Sequence, residues 1–403
     1  MRLLFVADGR SPIALNWIRH FVEQGDEVHL ASTFPCEARL DFASLNIVPV
    51  GLSELKRSRP LVAKNASQRL MWGGGTTRAR TAFRRWVGPL TLPAGAKSLR
   101  RLIEEIQPDL IHAMRIPFEG MLAALTLEKD DNLRSPLLIS VWGNDLTLHA
   151  PTTPLMRYFT RRTLRRVNAL HTDCRRDLRL AHAWGFPRDR SAIVLPGGGG
   201  VQREIFYPPS KSELKAREEV PTVINPRGFR AYVRNDTFFK AIPMVLRSYP
   251  RVRFVCTAMD GEALAEKWVD QLGVRSSVTL TPEQTHAQMA HLFRKSLISV
   301  SPSEHDGTPN TLLEAMACGC FPIAGDIESL REWIQPGRNG LLVSSSDSQA
   351  LADAIIKGLE ARELRRSAAQ HNLKLIAEKA EYLQVMAKAR RFYRASIEKG
   401  GIR

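Results

Sequence analysis

Short apolar segments alternate with amphipathic segments along almost the whole chain, and this alternation constrains the fold more than any other feature. Thirteen short segments have the composition of β-strands, seven in the first half and six in the second. Such alternation predicts parallel sheets with helices on both faces. The predicted strands are 2–7, 27–32, 45–50, 109–113, 137–142, 169–173 and 192–196, followed by 222–226, 252–258, 277–281, 297–303, 320–325 and 340–345.

The 403 residues of the chain predict more than one domain. We predict an N-terminal α/β domain over 1–206, a C-terminal α/β domain over 207–380, and a helix over 381–403 that packs back on the N-terminal domain. The polar, proline-bounded segment 207–221 is interpreted as the linker between the domains. Because both domains are predicted to be doubly wound, ligands are expected at the carboxyl ends of their strands.

The positive charge of the chain is large and unevenly distributed. The net charge is +17, and the segment 55–103 carries twelve Lys or Arg and no Asp or Glu. A second basic cluster spans 157–166. Such fields attract anionic lipid, nucleic acid or phosphorylated substrates, and a solubilising basic face is the alternative. The first segment also contains Leu70, Met71, Trp72, Phe83 and Trp86, a mixture suited to a membrane interface.

The sequence lacks several signals that would place it elsewhere in the cell or assign it a cofactor. Its five cysteines form no CxxC pair, which is typical of a reducing compartment. The first residues do not resemble a signal peptide, and no apolar run approaches the length of a membrane span. We therefore expect a cytoplasmic protein, peripheral at the inner face of the membrane. No metal-binding motif and no GxGxxG fingerprint occurs, so no metal and no cofactor is predicted.

The segment that follows the predicted strand 297–303 has the pattern of an anion-binding helix start. Thr308 is suited to the N-cap and Pro309 to the first helical position. The predicted helix runs from about Pro309 to Cys318. Its first backbone amides, near Asn310 and Thr311, suit a diphosphate, because a helix start presents free N–H groups and a positive dipole end.

Two carboxylates, Asp306 and Glu314, flank this helix start. Carboxylates repel phosphates, but they accept hydrogen bonds from the vicinal hydroxyls of a ribose or a hexose. A nucleotide-sugar, which has phosphates between two polyols, satisfies both the helix start and the acids. The alternative is a turn acid and a helical Glu with an internal partner.

Three arginines crowd the loop after the predicted strand 222–226. Arg227, Arg230 and Arg234 surround Gly228 between a strand and a helix. Guanidinium groups bind phosphate in a bidentate manner and stay charged, so these residues suit a phosphate clamp. Surface arginines in an ordinary loop are the alternative.

Further candidates follow strands of the first half. Gly9 and Arg10 lie in a tight turn after the first strand, where the backbone can approach a transferred group. His112 and Asp145 follow later strands, although a lone histidine is more often structural and Asp145 can be a simple turn residue. Four glycines at 197–200 allow either close ligand approach or a flexible crossing.

The stretch "SPSEHDGTPNTLLEAMACGCFPIAGDIESLREWIQPGRNGLLV" resembles the nucleotide-sugar half of retaining glycosyltransferases of family four, the group 1 family. The resemblance implies a GT-B fold with two Rossmann-like, doubly wound parallel-sheet domains that face a cleft. It implies that Glu314 holds the ribose and that Asp306, in place of the usual Glu, contacts hydroxyls of the sugar. The diphosphate clamp of the family falls on Arg234, at the lysine position, and on Arg227 or Arg230.

The resemblance is looser in the first half. Gly9 and Arg10 match the first-strand loop of the family, and "IHAMR" resembles its "HAH" strand end, with Met114 in place of the second His. His112 and Asp145 are therefore the candidates for catalytic positioning.

The predicted activity is metal-independent transfer of a hexose, with retention, from a UDP- or GDP-sugar to a glycan or lipid-linked acceptor in cell-envelope or polysaccharide synthesis. The resemblance implies no dedicated nucleophile. The alternatives are a non-catalytic nucleotide-sugar-binding protein, a nucleic-acid-binding protein and a phosphorylase that carries pyridoxal phosphate. No nucleic-acid-binding module is recognisable, so no nucleic-acid partner is expected.

Overall fold

The computed structural model describes residues 1–51, 53, 83–128, 135–230 and 232–400. The chain divides into two compact units: unit 1 consists of Met1–Gly199 with Met386–Arg403, and unit 2 of Gly200–Val385. The boundary predicted from the sequence lies between residues 206 and 207. Most of the basic segment 55–103, with Leu70, Met71 and Trp72, lies outside the described residues.

Unit 1 is built on a seven-stranded parallel sheet of order β3-β2-β1-β4-β5-β6-β7. Its chain starts at β1, moves outward to β2 and β3, and returns to place β4 on the other side of β1. The strands are β1 (Arg2–Ala7), β2 (Glu27–Ser32), β3 (Ser44–Ile47), β4 (Leu110–Met114), β5 (Leu137–Val141), β6 (Ala169–Thr172) and β7 (Ser191–Val194). The helices between them are α1 (Pro12–Glu23), α2 (Leu92–Ile106), α3 (Met121–Glu128), α4 (Pro154–Arg166) and α5 (Arg175–Trp184).

Local sequence signals explain the elements of unit 1. The hydroxyl of Ser11 caps helix α1 by accepting from the amide of Ala14, and Pro12 occupies the first turn. The helix ends just before Gly25, whose φ of +72° suits glycine. Strands β4 and β5 are buried along their whole length, because helices cover both faces of a parallel sheet.

Unit 2 repeats this architecture with a six-stranded parallel sheet of order β10-β9-β8-β11-β12-β13. Each of the thirteen predicted strands overlaps a strand of the structure, so the predicted α/β fold class is confirmed. The strands are β8 (Thr222–Asn225), β9 (Arg253–Cys256), β10 (Val278–Leu280), β11 (Ile298–Ser301), β12 (Phe321–Gly325) and β13 (Leu341–Val343). The helices are α6 (Lys211–Glu219), α7 (Asn235–Ser248), α8 (Ala263–Gln271), α9 (His286–Lys295), α10 (Asn310–Ala317), α11 (Ser348–Glu360) and α12 (Arg362–Lys379).

The segment interpreted as a linker is helical instead. Helix α6 lies inside 207–221 and begins with a capping box, in which Ser210 and Glu213 each bond the backbone amide of the other. Glu213 and Glu218 also form ion pairs with arginines elsewhere in unit 2. The linker interpretation was wrong because the S-x-x-E signature of Ser210 and Glu213 starts a helix here, despite the prolines and the polar composition.

A chain of buried polar side chains crosses the sheet of unit 1. The carbonyl oxygen of Leu195 only accepts, so Nε2 of His171 donates to it at 2.9 Å. Nδ1 of His171 then accepts from the hydroxyl of Ser140 at 2.8 Å. The same hydroxyl oxygen accepts from Nε2 of His112 at 2.8 Å. One fixed set of proton positions therefore satisfies both imidazoles in their neutral form.

The last helix, α13 (Tyr382–Gly400), completes this chain. The hydroxyl of Tyr393 donates to Nδ1 of His112 and accepts from the indole nitrogen of Trp17 at 2.9 Å. Tyr393 also stacks on Phe21, with ring centroids 4.5 Å apart. The tyrosine therefore joins α13 to strand β4 and helix α1 by polar and apolar contacts together.

Replacing Tyr393 with Phe should lower the free energy of unfolding by about 1 to 3 kcal/mol, because the indole N–H and Nδ1 of His112 both lose their partner inside the core. Urea unfolding followed by circular dichroism measures the change. Tyr249→Phe is the matched control, since the Tyr249 hydroxyl bonds Glu360 at the surface of unit 2. Equal midpoints for wild type and Tyr393→Phe would show that the chain of side chains contributes nothing to stability.

Candidate functional site

Two loops of unit 2 leave neighbouring parallel strands and are joined to each other. Strand β11 pairs with β8, whose other neighbour is β9, so the chain changes direction across the sheet at this point. The loops after β8 and β11 are connected by backbone hydrogen bonds from Arg234 to Pro302 at 3.0 Å and from Glu304 to Tyr232 at 2.9 Å. Such switch points are where open α/β sheets bind ligands.

A pair of buried asparagines holds the first of these loops. Nδ2 of Asn225 donates to Oδ1 of Asn235 at 2.9 Å, and Nδ2 of Asn235 donates to the carbonyl of Gly228 at 2.9 Å. Oδ1 of Asn225 accepts from the amide of Arg227 at 3.2 Å. Gly228 has a φ of +61°, which favours glycine. The loop therefore presents Arg227 from a backbone that is fixed at both ends.

Arg227 connects the two loops at the helix start. Its Nη2 donates to Oδ2 of Asp306 at 2.7 Å, and its Nη1 donates to the hydroxyl of Thr311 at 3.3 Å. The side chains of Arg227 and Asp306 are only 10% and 13% exposed. Nε of Arg227 is buried and has no partner among the residues that the structure describes. The buried Nε–H is thus unused on a guanidinium that already contacts the first turn of α10.

The other two predicted arginines are engaged differently. Arg234 binds both carboxylate oxygens of Asp236, at 2.8 and 2.9 Å, and Oε1 of Glu304 at 2.8 Å. These hydrogen bonds raise the pKa of Arg234 above its usual value. Arg230 is exposed, and its Nε donates to the carbonyl of Arg227 at 3.2 Å. Of the predicted arginines, only Arg227 forms a side-chain contact with Asp306 or with helix α10 in the described part of the chain.

The start of helix α10 differs from its prediction by one residue. Pro309 has an extended ψ of 124° and is the N-cap, so the helix begins at Asn310. Thr308 is not the cap, because its hydroxyl accepts from the indole nitrogen of Trp333 at 3.0 Å. No side chain caps the helix. The amides of Asn310 and Thr311 donate no hydrogen bond within the described ranges, which leaves them available to an anion.

Glu314 lies one turn further along this helix and is partly exposed. Burial among protein atoms raises the pKa of its carboxyl to about 7, against the opposing effect of the Arg227 charge. The carboxylate forms no hydrogen bond or ion pair with any residue that the structure describes. Arg227, Asp306 and Thr311 thus meet at the start of helix α10 in unit 2, with Glu314 one turn further along, and their role as a donor site stays a prediction.

The first-strand loop of unit 1 is tightly constructed. The amide of Gly9 donates to the hydroxyl of Ser32 at 3.0 Å, and a Cβ at Gly9 would lie 2.5 Å from the sulfur of Cys36. Only glycine fits there. Arg10 binds Asp8 through two hydrogen bonds of 2.9 and 2.8 Å. Arg10 thus lies beside the tight turn, as predicted, but its charge is already paired.

His112 and Asp145 are both in the interior of unit 1. His112 is 1% exposed, and both ring nitrogens are engaged in the chain of polar side chains, so no ring nitrogen is left for a substrate. Burial also holds the pKa of His112 well below its usual value. Asp145 accepts from Arg115 at 2.9 Å and from the amides of Ile116 and Trp142 at 3.0 and 3.2 Å. Their predicted catalytic role stays a prediction, and this geometry favours a structural role for both.

Sequence reasoning missed one acid and two strained residues after β4. Glu119 is 2% exposed, accepts from the hydroxyl of Thr33 at 2.7 Å, and has a pKa raised by burial. Arg115 and Phe118 have φ values of 131° and 70°, which residues with side chains rarely adopt. The apolar setting of Glu119 in "RIPFEG" was the available signal.

Comparisons with known proteins identify the class. The family model "Glycosyl transferases group 1" matches residues 208–374, and the model "Glycosyl transferase 4-like domain" matches residues 9–197. The two matched segments are similar to group 1 glycosyltransferases, and the two α/β units have the GT-B fold, as predicted.

Individual relatives are more distant. The D-inositol 3-phosphate glycosyltransferase of Mycobacterium tuberculosis is 30% identical over 197 residues, which are 45% of this chain and 40% of that protein. Sucrose-phosphate synthase from Thermosynechococcus elongatus has a TM-score of 0.74 at 14% identity and covers 98% of this chain, with 99% of its own chain matched. The Anabaena protein HepE, solved with UDP and glucose, has a TM-score of 0.72 at 14% identity and covers 98% of this chain, with all 100% of its own chain matched.

The chain spans 40% of the length of the curated relatives that it matches. Within the described residues, none of the helices combines the length and the apolar composition that a membrane crossing requires.

The raised pKa of Glu314 predicts a pH-dependent effect on stability. Its usual pKa of 4.5 rises to about 7 in the fold, so the folded state binds the proton more tightly and loses stability as the pH rises through this window. Glu314→Gln removes this loss. The difference in free energy of unfolding, Glu314→Gln minus wild type, should therefore increase by on the order of 1 to 3 kcal/mol as the pH is raised from 4.5 to 8.

Urea unfolding at a series of pH values measures this difference. Glu283→Gln controls for the removal of an exposed carboxylate from unit 2. A difference between Glu314→Gln and wild type that does not change with pH would contradict the raised pKa.

Proposed function

We propose that this protein is a retaining glycosyltransferase that uses a nucleotide-sugar donor bound in unit 2. The observation that carries the proposal is the position of Arg227, which contacts Asp306 and Thr311 at the uncapped start of helix α10, with Glu314 one turn away. The UDP bound to HepE and the match of residues 208–374 to the group 1 family model support a UDP-sugar as the donor.

The positive groups of the site suit the diphosphate. Arg227 retains an unused Nε donor, and the amides of Asn310 and Thr311 point out of the helix start. As the bond to the sugar breaks, negative charge grows on the leaving phosphate. Fixed donors that face this charge stabilise the transition state, and each is worth about 3 to 4 kcal/mol in studied enzymes.

The acids suit the hydroxylated parts of the donor. Glu314 has no partner among the described residues, so its carboxylate is free to accept from the two hydroxyls of a ribose. Asp306 is held by Arg227 beside the helix start, and it would accept from hydroxyls of the sugar. A carboxylate that accepts such bonds is favoured in its ionised form.

Reaction on the front face of the sugar is the mechanism that we propose. In this reaction, the leaving phosphate takes the proton of the acceptor hydroxyl as the new glycosidic bond forms. No protein nucleophile is required, and the arginine and helix amides supply the positive charge that a metal ion supplies in other enzymes. The reaction is therefore proposed to be independent of metal.

Replacing Arg227 with Gln should lower kcat/KM for sugar transfer by about 10²- to 10³-fold, because one fixed cation at the leaving phosphate is lost. Transfer from UDP- or GDP-hexoses to a glycan or lipid-linked acceptor is followed by release of the nucleoside diphosphate. EDTA should leave the rate of the wild type unchanged, and the product should keep the anomeric configuration of the donor.

Arg230→Gln is the matched control, since Arg230 is exposed in the same loop and contacts only the carbonyl of Arg227. Donor binding without any turnover would indicate a nucleotide-sugar-binding protein instead of an enzyme. Full activity of the Arg227→Gln variant would disprove the assignment of the donor site.

We further propose that the protein attaches to the anionic inner face of a membrane, where it reaches a glycan or lipid-linked acceptor of cell-envelope synthesis. Helix α4 supports this proposal, because its exposed face lines a cavity of about 770 Å³ with five arginines. They are Arg157, Arg161, Arg162, Arg165 and Arg166. Phe83 and Trp86, each 55% exposed, add the aromatic groups typical of a membrane interface.

Replacing Arg157, Arg161 and Arg165 together with Gln should reduce co-sedimentation with phosphatidylserine vesicles by about tenfold or more, because each cation near such a surface contributes about 1 kcal/mol. The control is the triple variant Arg247→Gln, Arg251→Gln and Arg338→Gln, which removes the same charge from exposed positions of unit 2. Wild-type binding that is equal for neutral and anionic vesicles would refute membrane attachment through α4.

A further inference from the structure

The guanidinium of Arg84 in unit 1 lies between two aromatic rings. Its central carbon is 4.7 Å from the ring centre of Phe34 and 4.3 Å from that of Phe118. Its Nε is buried without a partner, and no hydrogen bond or ion pair of this side chain occurs in the described ranges. A cation of five N–H donors is thus held in a defined plane with its donors unused.

This arrangement is unfavourable in the protein alone. Burial lowers the pKa of Arg84, and the charge of Glu119 only partly opposes this effect. Glu119 is itself bonded to Thr33, and burial favours its neutral form. A desolvated charge without a paired counter-ion costs free energy that a bound anion can offset.

The surrounding backbone leaves room for this sandwich. A Cβ at Gly51 would lie 2.9 Å from Nε of Arg84 and 2.9 Å from the ring of Phe118. A Cβ at Gly88 would lie 2.7 Å from the same ring. Phe118 also has a φ of 70°, an unfavourable conformation for a residue with a side chain. Two glycines and one strained residue therefore hold the ring on which Arg84 stacks.

Two other cations of this loop cluster, Arg10 and Arg115, each have an acid partner. Arg10, whose central carbon lies 3.9 Å from the ring centre of Phe34, is paired with Asp8. Arg115 is paired with Asp145. These two ion pairs balance their own charges, whereas Arg84 has no acid partner among the described residues.

The cluster lies where unit 1 is expected to bind a ligand. Arg10 follows β1, Phe34 follows β2 and Phe118 follows β4. Strands β1 and β4 are neighbours from which the chain continues to opposite sides of the sheet. The carboxyl ends of such strands form the ligand-binding crevice of open α/β sheets.

We propose that Arg84 binds a phosphate group of the acceptor, so that the acceptor is a phosphorylated polyol. This inference rests on the proposed glycosyltransferase activity and adds the chemical class of the second substrate. Contact with two rings restricts the movement of the guanidinium, and a restricted planar fork favours bidentate binding of phosphate oxygens.

Calorimetric titration of the full chain with inorganic phosphate, at constant ionic strength in chloride, tests the proposal. We expect binding by wild type, at least tenfold weaker binding by Arg84→Gln, and an unchanged constant for Arg19→Gln, which removes an exposed arginine from helix α1. Arg84→Lys, which keeps the charge without the planar fork, should bind with intermediate strength. Absence of phosphate binding by wild type, or equal binding by Arg84→Gln, overturns the proposal.

The two proposed sites are separated by a second titration with UDP and GDP. Arg227→Gln should weaken nucleoside diphosphate binding and leave phosphate binding by the Arg84 site intact, whereas Arg84→Gln should do the reverse. Retained UDP or GDP binding also shows that Arg84→Gln is folded. Loss of phosphate binding in Arg227→Gln instead of Arg84→Gln would assign the anion to unit 2 and overturn this inference.

Failure of the two proposals is distinguishable. If wild type binds neither nucleoside diphosphate nor nucleotide-sugar, the proposed function fails whatever the phosphate result. If donor binding and transfer persist while Arg84→Gln leaves phosphate binding unchanged, only the acceptor inference fails. Glucose 6-phosphate and phosphatidylinositol vesicles as competitors separate a soluble from a lipid source of the phosphate, and competition by neither counts against the proposal.

Discussion

Strand β11 lies beside strand β8 in the parallel sheet of unit 2, and the candidate donor site depends on this adjacency. Arg227 and Asp306 are 79 residues apart, yet their side chains meet because each follows one of these two strands. The loops are then fixed by their own backbone hydrogen bonds and by the buried pair Asn225 and Asn235. An ion pair between residues so far apart in the sequence therefore depends on the topology of the sheet as much as on the chemistry of the two residues.

The same constraint operates in unit 1 with a different electrostatic outcome. Strands β1 and β4 are neighbours, and the loops after them contain cations that are matched to acids one by one. Arg84 is the exception, since it is stacked on rings instead of paired with a carboxylate. In unit 2 the exception is an acid, Glu314, whose burial raises its pKa to about 7. Arg84 and Glu314 thus each lack an ion-pair partner among the described residues, and a polar ligand would offer that partner.

The sequence was sufficient to predict the strands and the loops that form the candidate donor site. Buried parallel strands are short apolar runs between turn residues, so all thirteen could be predicted, and the positions of Asp306 and Glu314 followed from the strand before them. The hydrogen-bond partners of individual side chains could not be predicted in the same way. Arg234 donates to Asp236 and Glu304. Thr308 does not cap the helix, because its hydroxyl accepts from the indole of Trp333, 25 residues away. Such contacts depend on side-chain positions that no periodicity specifies.

The ion pair of Arg227 with Asp306 also explains how a site with two acids can accept a diphosphate. In the protein alone, Asp306 satisfies one nitrogen of Arg227 and so reduces the repulsion that an isolated carboxylate would exert on phosphate. Nε of Arg227 and the first amides of helix α10 remain available for the anion. Hydroxyls that donate to Glu314 favour its ionised form. The added negative charge then attracts the guanidinium of Arg227 more strongly. Binding of the polyol and retention of the cation at the phosphate would therefore be coupled through Arg227, which is paired with Asp306 and whose charge acts on Glu314.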